Sequence, residues 1–242
     1  MSPSLLEEWP PRASEGARQR VPTNEQLAEV DRRSRHARWG LVAYGATMVM
    51  TYATAILVGA VGAFELEEAY AAGDLFVILL FLVAAFFVGR WKVAAYRLLP
   101  ALGARFVSHS PGWAAGAYFV PFLNLWRPYQ IMREIWEGSD PGALRVDLEE
   151  KRPDALLPLW WGLWISMNVL GQITRRLDSP ALTPEQEMTV GVLSLVYAAL
   201  ALGATIALYL IIRRVNSDQQ QRGALLQRSP ADLIGTSGEA QP

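Results

Sequence analysis

The 242-residue chain contains no cysteine, which excludes disulfides, thiolate metal sites, cysteine nucleophiles and thiol redox chemistry. Its two histidines, His36 and His109, are too few for a histidine-rich metal centre. Charge is also scarce. Charged residues make up 19% of the chain and the net charge is −1, so no global basic field exists to attract nucleic acid. No G-x-S-x-G, P-loop or H-E-x-x-H pattern occurs, and no pair of carboxylates is fixed by spacing. The reading leans away from an enzyme, and no cofactor is expected.

What is abundant is apolar. Such residues form 52% of the chain, aromatics 10%, and mean hydropathy is +0.16 although both ends are polar. The excess sits in four runs, at 39–64, 75–89, 155–174 and 188–212. A helix needs about 20 apolar residues to cross a bilayer core. The first, third and fourth runs meet that length. The second meets it if it extends back to residue 70, or if Arg90 and Lys92 snorkel to the interface. Four runs of this kind predict an all-α polytopic membrane protein, a bundle of four transmembrane helices spanning about 39–64, 70–94, 155–174 and 188–212.

The ends of the runs agree with a bilayer. Trp39 and Tyr44, Trp91, and the group Trp160, Trp161 and Trp164 fall where an aromatic belt is expected. Thr183-Pro184-Glu185-Gln186 reads as a capping box with proline in the first turn, and Thr23 with Gln26 repeats the box. A polar helix is therefore expected to start at residue 23 and run into the first span. Residues 1–22, and 217–242 with Gln219-Gln220-Gln221, read as disordered tails flanking a membrane domain at 23–216. The first 38 residues hold no apolar stretch, so no cleavable signal peptide is expected.

Orientation follows the arginines. Seven precede the first run, nine Lys or Arg lie between Arg90 and Arg152, and four follow from Arg213. Only Arg175 and Arg176 fall on the other side, where Glu65, Glu67 and Glu68 make an acidic loop. This bias predicts a multi-pass protein of the inner (plasma) membrane with both termini cytoplasmic. His36 lies among Arg32, Arg33, Arg35 and Arg38, a cluster suited to anionic lipid.

The long inner connection, 100–155, carries the most distinctive residues. The stretch from Trp113 to Trp126 is too short to cross unaided, and Pro121 and Pro128 each remove a helix hydrogen bond. Beyond Pro128, residues Tyr129, Met132, Ile135 and Trp136 fall on one helical face, with Arg133, Glu134 and Glu137 away from it. This predicts a re-entrant or interfacial helical element at 111–137, with a fifth span as the competing reading.

Residues 110–141 resemble the hallmark of bacterial membrane proteins grouped as domain of unknown function 4328. The matching positions are Pro111, Gly112, Trp113, Ala114, Phe119, Val120, Pro121, Asn124, Leu125, Arg127, Pro128, Glu134 and Trp136. Tyr96-Arg97, Ala101-Leu102-Gly103 and Trp160-Trp161 are similar as well. One departure is Leu98, where the family usually has asparagine. The resemblance implies a multi-span fold and does not settle function.

Two kinds of site residue emerge. Asn124, Arg127 and Glu134 either form a binding site at the inner face, with Arg127 on an anionic headgroup or solute, or satisfy the broken backbone and pin its depth. His109 beside them reads as polar surface. Asn168 and Gln172 share a face of the third run, and Tyr44, Thr47, Thr51 and Thr54 make a stripe on the first; together they would suit a polar seam inside the bundle. Small residues at Ala55-Gly59-Ala63 and Ala199-Gly203-Ala207 permit close helix packing or homo-oligomers. The leading expectation is a non-enzymatic scaffold or regulatory protein contacting membrane lipid, a protein partner or a second copy through its inner face. A small-solute transporter or channel is the alternative, and a lipid-acting enzyme the third reading.

Overall fold

A computed structural model describes residues 21–61, 67–104, 107–120, 122–144, 155–177 and 183–228. Among these the chain is all-helical, with no strand. Helix α1 (Asn24–Val61) starts at the expected cap. Thr23 N donates to Gln26 Oε1 at 3.0 Å and Gln26 N donates to Thr23 Oγ1 at 3.2 Å. No breaker separates its polar first turns from the apolar run, so one helix holds both. Helix α2 (Glu67–Leu98) reaches back before Leu75, which gives the short second run its missing length. Helices α3 (Trp113–Gly116) and α4 (Arg127–Ser139) lie in the long connection, with 3-10 turns at Ala117–Phe119, Leu123–Leu125 and Pro141–Leu144. Helix α5 (Leu156–Leu177) follows, and α6 (Pro184–Gln227) opens on the second box, Thr183 N to Gln186 Oε1 at 2.9 Å.

Helix α1 packs along α2 and α6, α5 packs along α6, and α4 sits against α3, α5 and α6. Three helices, α1, α2 and α6, are long and apolar enough to cross a membrane. Only 11% of the apolar window of α2 is buried inside the protein, so its leucines and phenylalanines face outward, as lipid requires. Three such helices are the mark of a membrane protein. Helix α5 does not reach that apolarity, because Pro158, three tryptophans, Asn168 and Gln172 dilute it.

Burial concentrates at one end of the bundle, which holds the start of α1, the ends of α2 and α6, and α4. We call it the basic end. Trp91, Ala95, Tyr96, Leu99, Leu102, Ile131, Met132, Ile135, Ile211, Ile212 and Val215 are all buried there. Gly138 lets α4 approach: a Cβ on it would lie 2.9 Å from Leu99 Cδ2 and 3.2 Å from Ala104 Cβ.

Several expectations change. The tail does not begin at 217, since α6 continues to Gln227 and buries Gln219, Arg222 and Gly223. The amides read as low complexity are bonded across the fold. Gln219 Nε2 donates to Ala95 O at 3.1 Å and Ser139 Oγ at 3.0 Å, Gln220 Nε2 to Leu27 O at 2.9 Å, and Gln227 Nε2 to Pro22 O at 2.7 Å. Trp91 and Trp160 are buried rather than belt residues, and Lys92 is fully buried rather than snorkelling. Trp39 is exposed as a belt residue should be, and Trp113 and Trp126 are exposed with it among the described residues. No single helix fills 111–137; its pieces have 4, 3, 3 and 13 residues, each below the length of a crossing. Residues 1–20 and 229–242, Pro121 and Glu65 lie outside the described residues.

Candidate functional site

Helix α4 builds the site. Pro128 occupies its first turn, where a missing N–H costs nothing, and Pro128, Ile131, Met132 and Ile135 are buried. Tyr129 and Trp136 pack half-buried against the core, and Arg133 pairs with Glu137 in solvent at 2.7 Å. Glu134 departs from expectation. Its side chain, 16% exposed, turns inward at the edge of the apolar face.

There it gathers three donors. Tyr96 on α2 donates its hydroxyl to Glu134 Oε2 at 2.5 Å, Ser108 N donates to the same oxygen at 3.3 Å, and His109 Nδ1 lies 2.9 Å from Oε1. The Tyr96 hydroxyl also accepts from His109 N at 2.8 Å. On the far side of the imidazole, Arg127 Nη1 bonds His109 Nε2. A guanidinium can only donate, so Nε2 is the acceptor in that bond and Nδ1 is the nitrogen that faces the carboxylate. Arg127 and Glu134 are thus joined through His109 rather than directly. A second polar pair lies alongside. Lys92, four residues before Tyr96 and on the same face of α2, donates from Nζ to Tyr118 OH at 3.1 Å and lies 4.7 Å from that ring's centroid. Burial pushes the Tyr118 phenol well above its ordinary range. Tyr118 meets Trp164 edge-on, and Trp164 stacks on Trp161 at 4.7 Å and 9°.

The cluster floors a recess of about 310 Å³ lined by Ser108, His109, Ser110, Trp113, Leu123 and Arg127. Beside it the chain turns sharply. Phe122 has φ of 64° and ψ of −45°, close to a strained γ-turn and unfavourable for an aromatic residue, and it is 77% exposed. Leu125, Trp126 and Trp113 are exposed with it and form an apolar lip. A second, larger recess of about 460 Å³ lies between the start of α1 and the end of α6, but its Gln220 and Gln227 amides are used in bonding the two helices together.

A family model described as domain of unknown function (DUF4328) matches residues 60–217. The chain belongs to this family. No curated protein and no solved structure matches the chain. The DUF4328 match spans α2 to the body of α6, so it contains Tyr96, His109, Arg127 and Glu134. It stops before Gln219 and Arg222, which hold the basic end together.

The remaining candidates divide. Pro111 and Gly112 form the turn into α3, with Ala114 N donating to Pro111 O at 3.2 Å and Gly116 N to Gly112 O at 2.9 Å. Asn124 does not cap a freed backbone group; its own N donates to Val120 O at 3.1 Å, and its side chain makes no hydrogen bond among the described residues. The polar seam does not assemble. Tyr44 is buried against Phe81, Thr47 and Thr51 are half-buried, and Asn168 and Gln172 point outward. Asn168 Nδ2 bonds the carbonyl of Trp164 on its own helix at 2.7 Å. A Cβ on Gly203 would lie 3.3 Å from Leu163 Cδ1, so this glycine of the second small-residue stripe serves α5–α6 packing. Pattern gives no signal for Tyr118, and it reads His109 only as polar surface and Lys92 only as a snorkelling cation. The signal available was a solitary lysine at the end of an apolar run, four residues from a tyrosine.

Proposed function

We propose that this DUF4328 protein is a four-pass inner-membrane protein, both termini cytoplasmic, that acts without catalysis as a lipid-contacting scaffold or regulatory partner. In this reading α5 is the fourth span, the basic end faces the cytoplasm, and the 111–137 element lies at the inner interface. The observation that carries it is the Phe122–Trp126 lip. A chain that holds an aromatic residue at positive φ and leaves it exposed beside Leu125, Trp126 and Trp113 gains from that arrangement only if the rings enter an apolar phase. The short helical pieces around the lip and the twenty basic residues assigned to one side support the same orientation.

The test uses the natural lack of cysteine. Single substitutions Ser110→Cys, Glu137→Cys and Ser179→Cys are exposed to an impermeant maleimide in intact cells. Labelling of Ser179→Cys alone is the expected result. Labelling of Ser110→Cys or Glu137→Cys from outside would overturn the orientation. Lipid contact is read separately: Phe122→Ser with Trp126→Ser should lower the lipid retained by purified protein in native mass spectrometry. Unchanged retention would remove the lip's role.

A further inference from the structure

We infer that the recess at Arg127 is a binding site for a phosphate ester, and that occupying it loads a proton onto His109. The inference deepens the lipid-contact reading of the same inner-face element. At about 310 Å³ the recess falls at the small end of ligand sites, roughly 300–1,000 Å³. Its donors are of the type that a tetrahedral, several-oxygen anion uses. Arg127 offers a forked guanidinium, and Ser108 and Ser110 offer hydroxyls that make no hydrogen bond among the described residues. A carboxylate, with two oxygens, would use fewer of them. Trp113 and Leu123 give an apolar wall for the carbon part of an ester, and the wall continues into the lip.

The resting geometry supplies the proton coupling. Arg127 bonds His109 Nε2 only while that nitrogen carries a lone pair. When Arg127 turns its fork to an anion, Nε2 loses its donor and faces the anion instead. A proton from solvent then binds Nε2, and the imidazolium holds the anion while Nδ1–H stays on Glu134 Oε1. The charged and titratable groups facing His109 are Glu134 and Arg127 from α4 and Tyr96 from α2. Bound anion thus favours protonation, so affinity is highest at low pH and falls as pH rises.

The experiment uses the full chain in phosphatidylcholine nanodiscs and glycerophosphoglycerol, a soluble diester whose charge is constant between about pH 6 and pH 8. Calorimetry in buffers of different ionisation heat gives affinity and proton uptake. Binding should be at least about fivefold tighter near pH 6 than near pH 8, with uptake approaching one proton. Arg127→Gln should weaken binding at least about tenfold at both pH values. His109→Asn, which keeps a donor toward Glu134 and cannot titrate, should bind with a flat pH profile. Doping the discs with phosphatidylglycerol separates the two sources of ester. Competition with the soluble probe identifies a lipid headgroup, and no competition identifies a free ester; either supports the site. No binding of the diester, pH-independent binding by the wild type, or wild-type affinity in Arg127→Gln would overturn it. Lipid retention through the lip does not need Arg127, so its survival in Arg127→Gln keeps the two failures distinct.

Discussion

Arg222 Nε holds the carbonyl oxygen of Leu102 at 2.7 Å, across 120 residues of chain. The other arm of the same guanidinium donates to Asp140 O at 2.8 Å. One side chain near the end of α6 therefore ties down both the turn after α2 and the exit of α4.

Arg222→Met keeps most of the volume and removes both donors. Two inward-facing carbonyls are left short, at about 1–3 kcal/mol each. Thermal melting in detergent should fall by roughly 4–24 °C, taking about 2–4 °C per kcal/mol. Arg214→Met provides the comparison, because Arg214 is exposed and among the described residues pairs only with Asp218 one turn away. Its shift should be under about 2 °C. Equal shifts would contradict the tie.

Lys92 and Tyr118 should respond in a fixed order. Lys92→Met replaces a buried amine with an apolar chain of similar length and should be near neutral or stabilising. Tyr118→Phe keeps the amine and removes its one hydrogen bond among the described residues, so it should destabilise more, by about 1–3 kcal/mol. The double variant should match Lys92→Met alone. Additive losses would mean the pair does not interact.

Burial raises the Tyr118 phenol above the ordinary tyrosine value of 10.0. The folded state then holds this proton more tightly than the unfolded state does. Its contribution to stability is complete below about pH 10 and is lost as pH rises further. Melting temperature followed from about pH 8 to pH 11 should drop at the alkaline end, and less steeply in Tyr118→Phe. Identical slopes would count against a buried phenol.

Two glycines of the long helices should give opposite signs for one substitution. A Cβ on Gly40 would lie 3.2 Å from Ala84 Cα, which is backbone of α2, so Gly40→Ala must push the helices apart and should destabilise by about 1–3 kcal/mol. Gly191 has nothing within 4 Å, and Gly191→Ala should gain up to about 1 kcal/mol from helix propensity. Melting temperatures moving the same way would show that packing at Gly40 is looser than the geometry requires.

Local chemistry made much of this fold legible. The Thr23 and Thr183 boxes, the apolar runs and the amphipathic pattern of α4 are all short-range, and the helices start and bury where those signals lie. Gln219 and Arg222 were illegible because their partners lie 80 to 124 residues away, and a run of glutamines has the same local pattern in a solvated tail. Glu134 sits at the boundary of the α4 face, where helical period alone does not decide its direction; the loop that brings His109 to it does. Trp91 failed as a belt residue because its ring fills the space between helices that a sequence does not display.

Helix α6 has 44 residues and no break, so it is about 66 Å long, against a hydrocarbon core of about 30 Å. Its far end is not free to flex, because Gln219 and Arg222 clamp it to Ala95, Ser139, Leu102 and Asp140. A continuous rod clamped at one end behaves as a lever. A change in bilayer thickness that tilts its apolar half must swing the clamped half too, and with it the α4 exit that bears Ser139 and Asp140.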